Sequence, residues 1–177
     1  MSTTSIAPIT PIDIEGAGTA VATAGAYERL RILTENKTIA IVGLSDDPYR
    51  PSHFAAIYMQ SWGYDIIPVN PRLLGKTILG QPVYASLSDI PRPVQIVDVF
   101  RKPSDIPPIA EEAVEIGARV LWLQLGIVNE DAARIARDGG LDVVMNRCVK
   151  IEHARFFGGL NLVGMNTGVI TSRRTIG

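Results

Sequence analysis

The stretch Thr38–Trp62, TIAIVGLSDDPYRPSHFAAIYMQSW, constrains the fold more than any other part of the chain. It reads as strand, tight loop and helix. Thr38 to Val42 is a short apolar run rich in β-branched residues, the composition of a strand buried on both faces. Gly43 breaks it. Pro51 suits the first turn of a helix, where its missing N–H would be unpaired anyway. Phe54, Ile57, Tyr58 and Trp62 then recur at helical spacing, and Gly63 is placed to end the helix. Such a loop aims free backbone N–H groups and the positive end of a helix dipole at one point, which makes an anion site. Arg50 and Ser52 stand where they add a charge and a hydroxyl. A phosphate is the expected ligand.

The same rhythm continues downstream. Asp65–Val69 reads as a second strand and ends in the turn signal Asn70-Pro71-Arg72. Leu73 to Pro82 is expected as a loop, Val83-Tyr84 as a very short strand, and Ser86 to Asp89 as a single helical turn opened by a capping box and stopped by Pro91 and Pro93. Strands are predicted at Val94–Phe100, Arg119–Gln124 and Leu141–Met145. Helices are predicted at Ala26–Asn36, Ser104–Ile116, from an Asn129 cap to Asp138, and Val149–Phe157. Short buried strands alternating with helices mean βαβ units and a parallel sheet. With right-handed crossovers the expected fold is α/β: a Rossmann-like, doubly wound, mostly parallel sheet of about five strands in a single domain, residues 26–157. Ligands of such sheets lie beyond the carboxyl ends of the strands, the edge where Gly43 falls. Residues 1–25, without clear period, are read as a flexible arm or as a partner-docking strand. The Gly- and Asn-rich residues 158–177 are read as an extended tail that docks on a neighbouring subunit.

Composition narrows the function classes. With 17 basic and 18 acidic residues the net charge is −1, which offers no global attraction for nucleic acid or an anionic membrane. No apolar run approaches the roughly 20 residues of a membrane span, and residues 1–26 lack the pattern of a signal peptide. The single cysteine excludes an internal disulfide and points to a reducing, cytoplasmic setting.

The nucleotide class follows from what the loop lacks. The dinucleotide fingerprint G-x-G-x-x-G fails, because Gly43-Leu44-Ser45-Asp46-Asp47-Pro48 keeps only its first glycine. The acid that would bind a ribose after the second strand is also missing; Val69-Asn70-Pro71-Arg72 stands there. NAD is disfavoured. Asn70, Arg72 and Lys76 suit a further phosphate instead, the 2′-phosphate of NADP or the 3′-phosphate of coenzyme A. The Walker pattern is absent. The residues themselves lead as far as a phosphorylated adenine nucleotide other than NAD.

Residues from about 36 to 155 resemble the small stand-alone CoA-binding proteins, whose domain is similar to the CoA-binding domain of the succinyl-CoA synthetase α subunit. The matching stretches are IAIVGLSDDPYRPSH (39–53), YDIIPVNP (64–71), VYASLSDIP (83–91), IVDVFRK (96–102), LWLQLGI (121–127) and VVMNRCVKIEH (143–153). The resemblance implies a Rossmann-like site for CoA or an acyl-CoA. Phosphates would lie at Gly43, Ser45, Arg50 and Ser52, with Leu44 and Pro51 beside them among the cofactor-binding residues. The adenosine end would lie near Asn70, Pro71 and Arg72, and the pantetheine arm near Phe100, Arg101 and Gln124. The ligase's phosphohistidine belongs to another domain, so the resemblance implies a binder, acting as a sensor, carrier or partner subunit, and does not imply ligase chemistry. An NADP-dependent oxidoreductase using Arg72 and Lys76, and an interaction module stabilised by a nucleotide, are the competing readings.

Other residues carry a functional and a plain reading. Asp46 and Asp47 would repel phosphate unless turned to water. Trp122 is expected in the core, and Phe100 either on the thioether arm or capping the core. Cys148 sits between Arg147 and Lys150, cations that favour the thiolate, so a mixed disulfide with CoA is chemically possible; the plain reading is a packing residue. His53 is expected at a helix start and His153 as a capping or surface group. A Cys148–His153 nucleophile pair is conceivable, but no orienting third group is identified. Two histidines far apart and one cysteine give no metal-ligand spacing.

Overall fold

The computed structural model describes residues 23–158. The expected tail beyond Gly158, and all but the last three residues of the expected arm, lie outside the described residues. Five parallel strands form the sheet, in the order β2-β1-β5-β6-β7: β1 (Thr38–Val42), β2 (Asp65–Val69), β5 (Ile96–Val99), β6 (Val120–Leu123) and β7 (Asp142–Val144). The chain adds β2 on one side of β1 and then crosses to place β5 on the other. The order therefore reverses between β1 and β5, and the fold is the Rossmann-like α/β domain expected.

Among the described residues five α-helices cover both faces. α1 (Ala26–Glu35), α2 (Pro51–Ser61) and α5 (Val149–Phe157) pack on the face that carries Ile39, Ile41, Ile66, Ile96, Trp122 and Val144. α3 (Ile106–Glu115) and α4 (Glu130–Asp138) cover the face of Ala40, Val42, Ile67, Val97, Leu121 and Val143. Alternate residues of each strand thus serve opposite cores, which is why the strands read as unbroken apolar runs. The small residues Ala132, Ala133 and Ala136 let α4 lie close to the sheet. The Asn129 carboxamide caps α4 as expected, accepting the Ala132 N–H at 2.8 Å.

The connection after β2 departs from expectation. The span 73–82 contains a small antiparallel pair, β3 (Thr77–Ile78) and β4 (Gln81–Pro82), and Tyr84 makes only an isolated bridge to Val69. Leu79 and Gly80 both take positive φ, 52° and 77°, the backbone of a tight hairpin turn. Leucine at such a position carries no sequence signal. No helix forms at 86–89, although Asp89 accepts both the N–H and the hydroxyl of Ser86, at 3.0 and 2.7 Å. α3 starts later than expected, after a short 3₁₀ turn at Pro103–Asp105. Pro107 and Pro108 are tolerated only in a helix's first turn, and so set its start.

Long-range polar contacts lock α1 to α5. The buried Arg29 Nε lies 2.9 Å from Glu152 Oε2, its Nη1 donates to the Ala24 carbonyl at 2.6 Å, and Arg155 reaches the other Glu152 oxygen at 3.2 Å. Ala24 N–H bonds Val143 O, so the chain before α1 is tied to the sheet edge. His153, expected as a capping or surface group, is instead buried within α5; it stacks on Phe157 and meets Tyr58, Trp62 and Tyr64.

Gly43 combines positive φ (+87°) with a close crossing. A Cβ there would stand 2.7 Å from Phe100 O and 2.9 Å from Arg101 Cδ. Gly43→Ala is expected to lose roughly 1–3 kcal/mol to the left-handed backbone and a comparable amount to the overlap. Urea denaturation measures it; a change within about 0.5 kcal/mol, ordinary for a surface substitution, would mean that the crossing yields easily.

Candidate functional site

The sheet's reversal places the ends of β1 and β5 side by side. Phe100 N–H donates to Val42 O at 2.9 Å before the two segments diverge, while on the other side of β1 Gly43 N–H donates to Val69 O of β2 at 2.8 Å. Between the β1 and β5 segments opens a cleft of about 920 Å³, within the range of small-molecule sites.

The loop that follows Gly43 is tied to its own helix. Ser45 N–H donates to the buried Ser52 hydroxyl at 3.1 Å, Ser45 Oγ accepts the Asp47 N–H at 3.1 Å, and Ser45 O lies 2.7 Å from His53 Nδ1. Tyr49 N–H donates to Asp47 Oδ1 at 2.9 Å. Arg50 is the N-cap of α2, in extended backbone and without a side-chain cap. The first turn of α2 thus faces the cleft through Pro51, Ser52, Phe54 and Ala55. Among the described residues four cations line the cleft, Arg50, Arg101, Lys102 and Lys150, and no carboxylate does. Arg50 and Arg101 are held loosely, 3.7 Å from Asp47 and 3.8 Å from Asp105, and so are available to an anion. Phe100, Leu125, Ile127 and Ile151 supply apolar wall. A cationic, carboxylate-free cleft at an open helix start is suited to a polyanion with an apolar portion.

Nine of the residues singled out from sequence meet around this cleft: Gly43, Ser45, Arg50, Pro51, Ser52, Phe100, Arg101, Gln124 and Cys148. Leu44 is buried in the core and contributes no side chain to it. Asn70 is a buried brace: its Nδ2 donates to Leu44 O at 2.9 Å and its Oδ1 accepts the Arg72 N–H at 3.1 Å. Pro71 and Arg72 are exposed on the adjoining 3₁₀ turn, outside the cleft lining. Lys76 pairs with Asp46 at 2.7 Å, and this bond holds the Asp46 carboxyl below the usual range. Asp47 is occupied within its loop.

Asp98 escaped the sequence reading. It stands in β5 in register with Ile41 and Trp122, on the face beneath α2 and α5. The side chain is fully buried; Gln124 Nε2 donates to Oδ1 at 2.6 Å and Oδ2 has no partner. Burial pushes its pKa up to about 7, against the pull of Gln124 and a backbone bond at Val99. The signal was present: a lone acid inside the strand VQIVDVF. Tyr49, Phe54, Lys102 and Ile151 were also missed, being loop or helix residues whose facing only the packing decides.

Cys148 lies half-buried at the N-cap of α5. Burial pushes its thiol up from the ordinary value and the Asp98 charge adds to this; backbone bonds from Ile151 and Lys150, and the Lys150 charge, pull the other way without prevailing. The expected thiolate promotion by Arg147 and Lys150 is therefore overturned by burial. His153 Nδ1 lies 3.2 Å from the Tyr58 hydroxyl, and no hydrogen bond joins His153 to Cys148 among the described residues. His53 sits in the first turn of α2, bonded to Ser45 O. Trp122 is in the core, its Nε1 donating to Arg147 O at 2.7 Å. Among the described residues no group of His, Cys, Asp and Glu could hold a metal ion, and no helix is long and apolar enough to cross a membrane.

Residues 37–154 match the family model described as CoA binding domain. The chain belongs to the CoA-binding domain family. The uncharacterized protein YneT of Bacillus subtilis (strain 168) is 46% identical over 123 residues, which cover 70% of this chain and 90% of that protein. A solved Thermus thermophilus protein is 37% identical at a TM-score of 0.73, covering 76% of this chain and all of that one. A dinucleotide-forming acetyl-coenzyme A synthetase of Ca. Korarchaeum cryptofilum shares the fold at 23% identity and a TM-score of 0.58, over 66% of this chain and 28% of that one.

Two buried groups give opposite pH dependence. Folded Asp98 keeps its proton to about pH 7, where an unfolded aspartate is already ionised, so its contribution is full below about pH 4 and is lost as pH rises through 7. Burial lowers the His153 pKa to about 4, so its contribution is full above about pH 6.5 and is lost as pH falls through 4. Relative to wild type, Asp98→Asn is expected to gain on the order of 3 kcal/mol between pH 4.5 and 8, and His153→Gln to gain as pH falls from 7 to 4.5. Urea denaturation at these pH values checks both; differences independent of pH would show that neither group titrates there.

Proposed function

We propose that the cleft binds coenzyme A or an acyl-CoA, and that the protein acts as a sensor, carrier or partner subunit without chemistry of its own. The observation that carries this is the lining of the cleft at the start of α2: four cations and no carboxylate among the described residues. The diphosphate would lie against Ser45, Ser52 and Arg50, and the pantetheine arm along Phe100, Arg101 and Gln124. The adenosine end would rest by Pro71 and Arg72, on a turn that Asn70 and Lys76 bond to the phosphate loop. Family membership supports CoA as the nucleotide. The protein would be cytoplasmic, as a homo-oligomer or alongside a partner enzyme subunit.

Titration calorimetry with CoA, dephospho-CoA, NADP and NAD tests the assignment. Arg50→Ala should weaken CoA by roughly 1.5–3 kcal/mol with the fold intact, since the side chain is 71% exposed. Arg72→Ala should weaken CoA more than dephospho-CoA, which lacks the 3′-phosphate. Affinity for NADP alone would overturn the reading and favour the oxidoreductase.

Cys148 makes the cleft redox-responsive under this reading. Its thiolate would attack CoA disulfide, forming the Cys148–CoA disulfide and expelling one CoA thiolate. Because burial raises the thiol, the exchange should be slow at pH 7 and faster at pH 9. Intact-mass spectrometry should show one CoA-sized adduct that dithiothreitol removes and Cys148→Ser abolishes. No adduct at pH 9, at a CoA disulfide concentration that raises the melting temperature, would leave Cys148 a packing residue.

A further inference from the structure

A second groove of about 370 Å³ runs between α2 and α5. Phe54, Ile57, Tyr58, Ile151 and Ala154 form its walls, with Ser61 at its far end. Helix α2 turns Ala55, Ala56 and Met59 into the core, yet leaves Phe54 58% and Ile57 44% exposed on the opposite side. About half of each side chain is left open to the groove, and apolar side chains gathered along one groove mark a binding surface.

The groove is continuous with the cleft. Phe54, Lys150 and Ile151 line both. Among the described residues Lys150 is the one charged residue of the groove lining, and its ammonium stands 4.8 Å from the centre of the Phe54 ring, at the junction. Polarity therefore changes in one direction: cations and an open helix start in the cleft, one cation at the junction, then apolar wall. From Phe54 to Ser61 is two turns of α2, about 10 Å, room for a medium-length hydrocarbon chain.

We propose that this groove receives the acyl chain of a CoA thioester whose nucleotide occupies the cleft, so that the protein discriminates medium-chain acyl-CoA from free CoA. This rests on the CoA reading above. A ligand with a polyanionic head and an apolar tail matches the gradient. A second protein copy, the other candidate occupant, would need no apolar wall reaching into the cleft, as Phe54 and Ile151 do.

Titration calorimetry with CoA and its acetyl, butanoyl, octanoyl and dodecanoyl thioesters, below their micellar concentrations, tests the proposal on the full-length protein. Affinity should rise from acetyl to octanoyl by roughly two- to fourfold per buried methylene and level off by dodecanoyl. Ile57→Glu, outside the cleft, should keep CoA affinity within about twofold and bring octanoyl-CoA down to it. Ser61→Trp should shift the preferred chain to a shorter one. Equal affinity for CoA and octanoyl-CoA, or a chain-length dependence that survives Ile57→Glu, would overturn the acyl site while leaving CoA binding in place. Failure of every ligand to bind would overturn the CoA reading itself. A wild-type dimer by sedimentation that Ile57→Glu makes monomeric, without chain-length preference, would assign the face to contact between copies.

Discussion

At the carboxyl ends of β1 and β5 two segments cross so closely that only a glycine fits. Gly43 has no Cβ to meet the Phe100 carbonyl, and its positive φ turns the chain away from the sheet at once. Everything in the cleft depends on that crossing. It brings the start of α2 to the point where the strand order reverses, and sets Phe100 and Arg101 opposite Ser45 and Ser52. A side chain at position 43 would push the walls apart and remove the close backbone approach on which helix-start anion sites depend.

The chemistry of the cleft follows from charge placement. The acids that might have opposed an anion are spent on local bonds: Asp46 on Lys76, and Asp47 on the Tyr49 N–H and, loosely, Arg50. What remains toward the cleft is positive. Beneath it the environment is apolar and buried, and Asp98 lies there with one oxygen unpaired. A carboxyl group so placed prefers to stay protonated and also raises the thiol of Cys148. The result is a surface that attracts anions over an interior that resists making a thiolate.

The readings that succeeded rest on local rules. Pro51 and Asn129 marked helix starts because missing or unpaired N–H groups have few solutions. Apolar runs marked strands because parallel sheets are covered on both faces. The readings that failed rest on distant partners. Flanking cations suggested an activated Cys148, but burial outweighed them. His153 looked like a capping or surface group until Tyr58, Tyr64 and Phe157 closed around it. Val83-Tyr84 looked like a strand, whereas the hairpin formed earlier, at a leucine in left-handed backbone.

By itself the sequence determined the alternation of strands and helices, and hence the parallel sheet and the edge on which a ligand lies. Those follow from periodicity and from backbone groups satisfied within a few residues. It also carried the family, through motifs spread along the whole domain. The tertiary structure alone decided which side chains share a wall. Asn70 became a brace and Arg72 stayed outside the lining, while Phe54, Lys102 and Ile151 joined it. Burial and pairing across a sheet depend on residues tens of positions apart, such as Gln124 against Asp98 or Glu152 against Arg29, and no local pattern encodes them.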